Sequence, residues 1–217
     1  STLRRFQVRI VRRKQAEDRL LTMREAPAET TDGHRIELSA NVELPQEIPI
    51  ARANGAHGIG LVRTEYFYFR QSHLPSEEEQ LRSYREVLET VGNGDVIFRC
   101  LDVGGDKLLA AMGGVREYNP FLGVRGARFL LRNPEILHTQ LRALYRASAF
   151  GSMKVMFPMV CDVEELRAFH SHCERVRRQL RKSGHEFDPD LDLGIMIETP
   201  SAVAMAPELA RECDFFS

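Results

Sequence analysis

The sequence predicts an α/β fold on a parallel sheet, and three observations carry that prediction. Short apolar runs of strand length recur at residues 36–42, 58–63, 96–103, 153–160 and 191–197, each bounded by polar or glycine-containing segments. Between them lie stretches whose apolar residues step by three and four, as one face of a helix does. Runs such as VMFPMV are apolar almost throughout, the pattern of strands covered on both faces. Strand and helix in alternation give a parallel sheet.

Residues 1–25 carry charge on most turns, with Phe6, Ile10, Leu20 and Leu21 loosely spaced for one face. This predicts a helix entering from something upstream. The segment APAETTDGH at 26–34 is rich in turn formers and ends it. The chain therefore divides into a linker helix and turn over 1–31 and a main domain over 32–217.

Within that domain, Leu81, Tyr84, Leu88 and Val91 form one helical face. Leu137, Leu141, Leu144 and Ser148 form a second, and Leu166, Phe169, Cys173, Val176 and Leu180 a third. The first of these helices has a start signal: Ser76 precedes Glu79 by three residues, the spacing of a capping box, with acidic residues on the positive end of the helix dipole. A further short strand is possible at 214–217.

Polar residues cluster at the carboxyl ends of several strands: Arg63, Thr64 and Glu65, then 99–102, then Glu198 and Thr199. That is where a TIM-type (β/α)8 barrel assembles its active site, so the barrel is preferred to a doubly wound sheet. About five strands are too few to close one, and the expectation is a barrel truncated after them.

Composition narrows the function. Thirty Lys plus Arg stand against 31 Asp plus Glu, a net charge near −1, so no overall basic surplus points to nucleic acid. No apolar run approaches the ~20 residues of a membrane helix, and the first residues lack a signal-peptide core. A cytoplasmic protein without membrane insertion is expected. The four cysteines lie far apart with no C-x-x-C pair, which fits reduced thiols.

Arg63, Arg99 and Arg125 are each embedded among apolar residues, where a guanidinium needs an anionic partner. Two readings stand side by side. They pair with nearby carboxylates, or their forked donors hold a ligand carrying phosphate and carboxylate. The segment GGDK at 104–107 resembles a phosphate loop but lacks the G-x-x-x-x-G-K-[ST] spacing, which disfavours a nucleotide. Lys107 is read as an accessory positive charge, and Asp102 as a residue that could orient the arginines. Glu198 ends the run LGIMIE just before Thr199 and Pro200. A carboxylate on such a rim suits Mg²⁺, a hard ion with oxygen ligands; the competing reading is a salt bridge to Arg63 or Arg99. The seven histidines form no catalytic set, and solvated or capping roles are expected for them.

The segments GLVRTEYFYF, LPSEEEQ, RCLDVGGDK, NPFLGVRGAR, LRALYRASAFG, MFPMV, IMIETPSAV and CDFFS follow one another in this order. On them the sequence resembles Enzyme I of the bacterial phosphotransferase system, a family of phosphoenolpyruvate-protein phosphotransferases. The resemblance implies a metal-dependent transfer of phosphoryl from phosphoenolpyruvate to a histidine of an upstream domain and then to the HPr carrier, serving sugar uptake. Arg63, Arg99 and Arg125 would bind phosphoenolpyruvate, Glu198 would ligate Mg²⁺ or Mn²⁺, and the full-length protein would be a homodimer. The family's second metal ligand and its proton-donating cysteine would lie beyond Ser217, so no catalytic residue is assignable and this chain alone is expected to be inactive. Two alternatives remain open: a nitrogen-branch Enzyme I or a dikinase or synthase relative, and a non-catalytic truncated barrel serving as an interaction module.

Overall fold

In the computed structural model, residues 2–24, 26–69, 73–103 and 123–217 are described. Six parallel strands make one sheet: β1 Ser39–Val42, β2 Gly58–Arg63, β3 Val96–Arg99, β4 Met153–Phe157, β5 Leu193–Ile195 and β6 Phe215–Phe216. They lie side by side in chain order, β1-β2-β3-β4-β5-β6. The order never reverses, as it must at the switch point of a doubly wound sheet. Because each strand joins a parallel neighbour, a crossover is required between every pair, and helices supply most of them. These are α2 Ile48–Ala53, α3 Glu65–Phe69, α4 Glu77–Val91, α5 Gly126–Arg132, α6 Pro134–Ala147, α7 Val163–Lys182, α8 Pro200–Ala204 and α9 Ala206–Leu209, with α1 Thr2–Met23 preceding the sheet.

Alternation along the strands decides what each face does. Phe98, Val155 and Leu193 share a register row and are buried, as are Phe157 and Ile195. Phe98 meets Tyr84 of α4 with ring centres 5.1 Å apart, and Phe157 stacks on Phe169 of α7 at 4.2 Å. This is the helix-covered face. The residues between them, Ile97, Arg99 and Lys154, are half-buried and belong to the other face.

The helix starts are chemically specified. Ser76 Oγ accepts from the Glu79 N–H while Glu79 Oε2 accepts from the Ser76 N–H at 2.8 Å, completing the capping box at α4. Asp162 caps α7 through the Glu165 N–H, and Arg181 and Lys182 occupy its last turn, where cations suit the dipole.

Except for β2, the strands are shorter than the apolar runs that announce them. At 35–36 the chain pairs with the preceding segment instead of with β2: the Ile36 N–H donates to the Ala28 carbonyl, and Glu29 bridges Arg35 antiparallel. Apolar content marks where a strand can be buried, whereas its length is set by how far its neighbour runs beside it. The possible strand at 214–217 does form, as β6 against β5.

Gly194 is where β5 and β6 approach most closely. A Cβ at this position would stand 2.5 Å from ring carbons of Phe215. Gly194→Ala should therefore push the ring off the sheet and cost about 1–3 kcal/mol, the usual range for overpacking. A lowered urea midpoint with an unchanged slope would show it.

Candidate functional site

The carboxyl ends of the strands carry the charged groups. Arg63 ends β2 and is the register partner of Arg99, which ends β3, so both belong to the face away from the packed helices. Arg63 Nη1 donates to Glu43 Oε1 at 2.9 Å just beyond β1, and both side chains are about half exposed. Arg99 is more enclosed. Its Nη2 donates to Glu65 Oε1 at 2.9 Å, and its Nη1 lies 3.5 Å from Asp102 Oδ2.

Asp102 is the hub. Its side chain is only 3% exposed. Arg125 Nε and Nη2 donate to its two oxygens at 3.0 and 2.8 Å, a fork-on-fork pair. The Asp102 N–H also donates to Glu65 Oε1 at 2.9 Å, so one carboxylate oxygen ties the Arg99 guanidinium to the backbone after β3. Donating to Asp102 raises the Arg125 pKa further, and the charges of Asp102, Glu198 and Glu65 add to it against the opposing effect of burial. Glu198 joins this neighbourhood through Met159, whose N–H it accepts from and which lies against Gly126, the residue after Arg125.

Glu198 is presented by the end of β5. Thr199 caps α8, its Oγ1 accepting from the Ala202 N–H, and the residue before the cap is left exposed at the rim. Glu198 Oε1 accepts from the Met159 N–H at 2.7 Å. The ion pairs of Arg63 and Arg99 are with Glu43, Glu65 and Asp102, so the alternative of a Glu198 salt bridge to either does not form. Arg99, Arg125 and Asp102 are thus brought together, with Glu198 beside them; Arg63 stands at the adjacent strand end. Lys107 lies outside the described residues.

Two components escape a reading of motifs. Glu65 sits in view in the R-T-E triplet, yet its use as a tether for Arg99 and the Asp102 amide depends on the path of α3. Its Oε2 and Arg99 Nε are buried without a hydrogen-bond partner among the described residues. Gln140 is the second. It is fully buried on α6, where its Oε1 accepts from the Leu101 N–H at 3.0 Å and its Nε2 donates to Thr64 Oγ1 at 3.1 Å. Thr64 Oγ1 in turn donates to the Arg99 carbonyl at 2.9 Å. A polar residue interrupting the Leu137, Leu141, Leu144 face is the signal that could have found it.

The thiols do not join the cluster. Cys100 and Cys173 are buried, and burial pushes both thiols up, Cys173 to about 12. His138 and His172 face each other across α6 and α7 with ring nitrogens 2.7 Å apart, and burial lowers both from the usual imidazole range. They are half-buried and paired with each other. Among the described residues no group of three or more His, Cys, Asp or Glu could hold a metal on its own, and no helix is long and apolar enough to cross a membrane.

The family model described as PEP-utilising enzyme, PEP-binding domain matches residues 17–217. The chain belongs to this family. Among curated proteins, a phosphoenolpyruvate-protein phosphotransferase of Staphylococcus carnosus is 46% identical over 198 residues, covering 91% of this chain and 35% of that protein. A multiphosphoryl transfer protein of Xanthomonas campestris pv. campestris is 46% identical over 201 residues, 92% of this chain and 23% of its own. The phosphotransferase of Haemophilus influenzae is 44% identical over 198 residues, 91% of this chain and 34% of its own. The chain thus spans about a third of the length of the phosphotransferases it matches, and less of the multiphosphoryl transfer protein. As a PEP-binding domain, it has its charged rim at the strand ends where α/β folds bind ligands.

Proposed function

We propose that this chain is the phosphoenolpyruvate-binding part of an Enzyme I-type phosphotransferase, folded as one side of a (β/α)8 barrel and acting in the cytoplasm. Sequential strand order, with packed helices against one face, supports the barrel. The observation that carries the function is the cluster of Arg99 and Arg125 on Asp102, with Glu198 alongside, at the carboxyl rim.

Phosphoenolpyruvate presents a phosphate and a carboxylate. Arg63, Arg99 and Arg125 are permanently charged planar donors that can grip both, and Asp102 and Glu65 hold Arg99 and Arg125 in place beforehand. Such preorganisation suits phosphoryl transfer, which is mostly positioning and neutralisation of charge on nonbridging oxygens. Glu198, a hard oxygen donor at an exposed rim, fits one ligand position of Mg²⁺ or Mn²⁺, with substrate oxygens and waters completing the shell. The bound ion would supply further charge neutralisation at the phosphoryl oxygens. In the proposed reaction the phosphoryl passes to a histidine of another domain and then to an HPr-type carrier, and the full-length protein is a homodimer. The cysteines described here are not assigned as its acid. The match to a multiphosphoryl transfer protein supports a second parent, in which the same domain serves a longer polypeptide.

Calorimetric titration of the chain with phosphoenolpyruvate and Mg²⁺ tests this. Binding is expected, with affinity reduced about tenfold or more in Arg99→Lys and Arg125→Lys, since lysine keeps the charge and loses the fork. No binding, or binding indifferent to both substitutions, would overturn the reading in favour of a non-catalytic interaction module.

A further inference from the structure

Met159 is the only non-glycine among the described residues with a positive φ, at 59°. Such a conformation persists where the surroundings over-determine it, and it is found where a site depends on it. The turn at 158–160, after β4, carries no charged side chain, yet it contacts both halves of the rim. On one side, the Met159 N–H donates to Glu198 Oε1 at 2.7 Å, and Thr199 Oγ1 donates to the Val160 carbonyl at 3.2 Å. On the other, the Ala127 N–H donates to the Pro158 carbonyl at 3.1 Å, and Gly126 lies directly against Met159. A Cβ on Gly126 would stand 2.7 Å from Met159 Cβ. Gly126 itself has φ +51° and follows Arg125.

From this geometry we infer that the 158–160 turn, seated on Gly126, is the positioning device for Glu198. Met159, through its backbone amide, engages one carboxylate oxygen and leaves Oε2 to meet a divalent cation. The same turn fixes the spacing between Glu198 and Arg125, so the cation ligand and the anion-binding arginine are set by one backbone segment. Gly126 is required on two counts: its missing Cβ lets the turn sit that close, and its φ of +51° is one that L side chains rarely adopt. The inference rests on the reading of Glu198 as a cation ligand and adds Met159 and Gly126 as positioning residues.

The test uses the chain labelled with ¹⁵N-methionine, and Mn²⁺ together with phosphoenolpyruvate as probe, since substrate oxygens complete the shell around the one carboxylate. Glu198→Gln should move the Met159 amide proton resonance upfield, because a neutral acceptor bonds more weakly than a carboxylate. Gly126→Ala should weaken Mn²⁺ binding, read by electron paramagnetic resonance, by about tenfold, the usual loss when a metal ligand loses its support. Combining it with Met159→Gly, which removes the opposing Cβ and keeps the N–H, should recover much of that loss. A Met159 resonance unmoved by Glu198→Gln overturns the positioning role whatever the metal data show. If the resonance moves but Glu198→Gln binds Mn²⁺ as the unaltered chain does, the cation-ligand reading falls and takes the purpose of the turn with it, while the hydrogen bond stands. Recovery absent from the double variant overturns the role of Gly126.

Discussion

Replacing Asp102 with alanine is expected to remove about 3 kcal/mol of stability and the binding of phosphoenolpyruvate together. The carboxylate is the shared counter-charge of Arg99 and Arg125, whose side chains are 13% and 22% exposed. Without it, two partly desolvated guanidiniums lose the carboxylate they share. Breaking a buried ion pair from one side typically costs 3–5 kcal/mol, and the partial exposure of both arginines argues for the lower end. Asp102→Asn should cost less, since it keeps one acceptor and the shape. The contrast comes from urea unfolding followed by phosphoenolpyruvate titration in the same samples. The exposed pairs Arg85–Glu89 and Arg167–Glu212 set the baseline. Truncating those should change stability by less than about 1 kcal/mol. An Asp102→Ala variant as mild as the surface ones would show that Asp102 is not the hub described here.

The second large effect is expected at an uncharged residue. Gln140→Leu preserves approximate volume on α6 but leaves the Leu101 N–H buried without its acceptor. It also removes the donor that Thr64 Oγ1 and Tyr84 OH accept from. An orphaned buried amide costs about 1–3 kcal/mol, and here the amide belongs to the segment joining Arg99 to Asp102. Stability should fall by about 2 kcal/mol. Affinity for phosphoenolpyruvate should fall as well, because the chain after β3 is no longer held to β2 and α6. If stability drops and affinity is unchanged, Gln140 serves the core alone.

These two residues show what a linear reading can reach. Asp102 stands within RCLDVGG near an arginine at a strand end, and its proximity to Arg99 follows from a three-residue separation. Its grip on Arg125 does not, since that contact depends on how the chain returns to the sheet. Strand β2 could be read to its last residue because glycine and charge bound the run GIGLVR. The apolar run at 153–160 overshoots its strand: Val160 is apolar, but it lies where ladder pairing has ended and a rim turn begins. Met159 was invisible, because nothing in MFPMV marks a left-handed residue. Its contacts there, with Gly126 and Glu198, are with residues distant in sequence. The pairing of His138 with His172 is hidden for the same reason, as a contact across two helices cannot be seen from either helix alone. Sequence patterns record burial and local turns well. They record contacts between distant segments only where chemistry, such as a lone arginine in apolar company, demands a partner.

The unbroken strand order has a consequence for how the molecule is made. Every pairing in the sheet joins segments that are successive along the chain, so each new strand finds its place against the one completed just before it. No segment must wait for a distant one. Loop-closure entropy rises slowly with length and is met here one short crossover at a time. The sheet can therefore extend in the direction of synthesis, strand by strand, with β1 and β2 paired before β5 has left the ribosome. The widest crossover, from β3 to β4, is the natural pause in that growth. Its closure brings Asp102, Arg125 and Met159 into one neighbourhood, so the rim is assembled late, on a scaffold already formed.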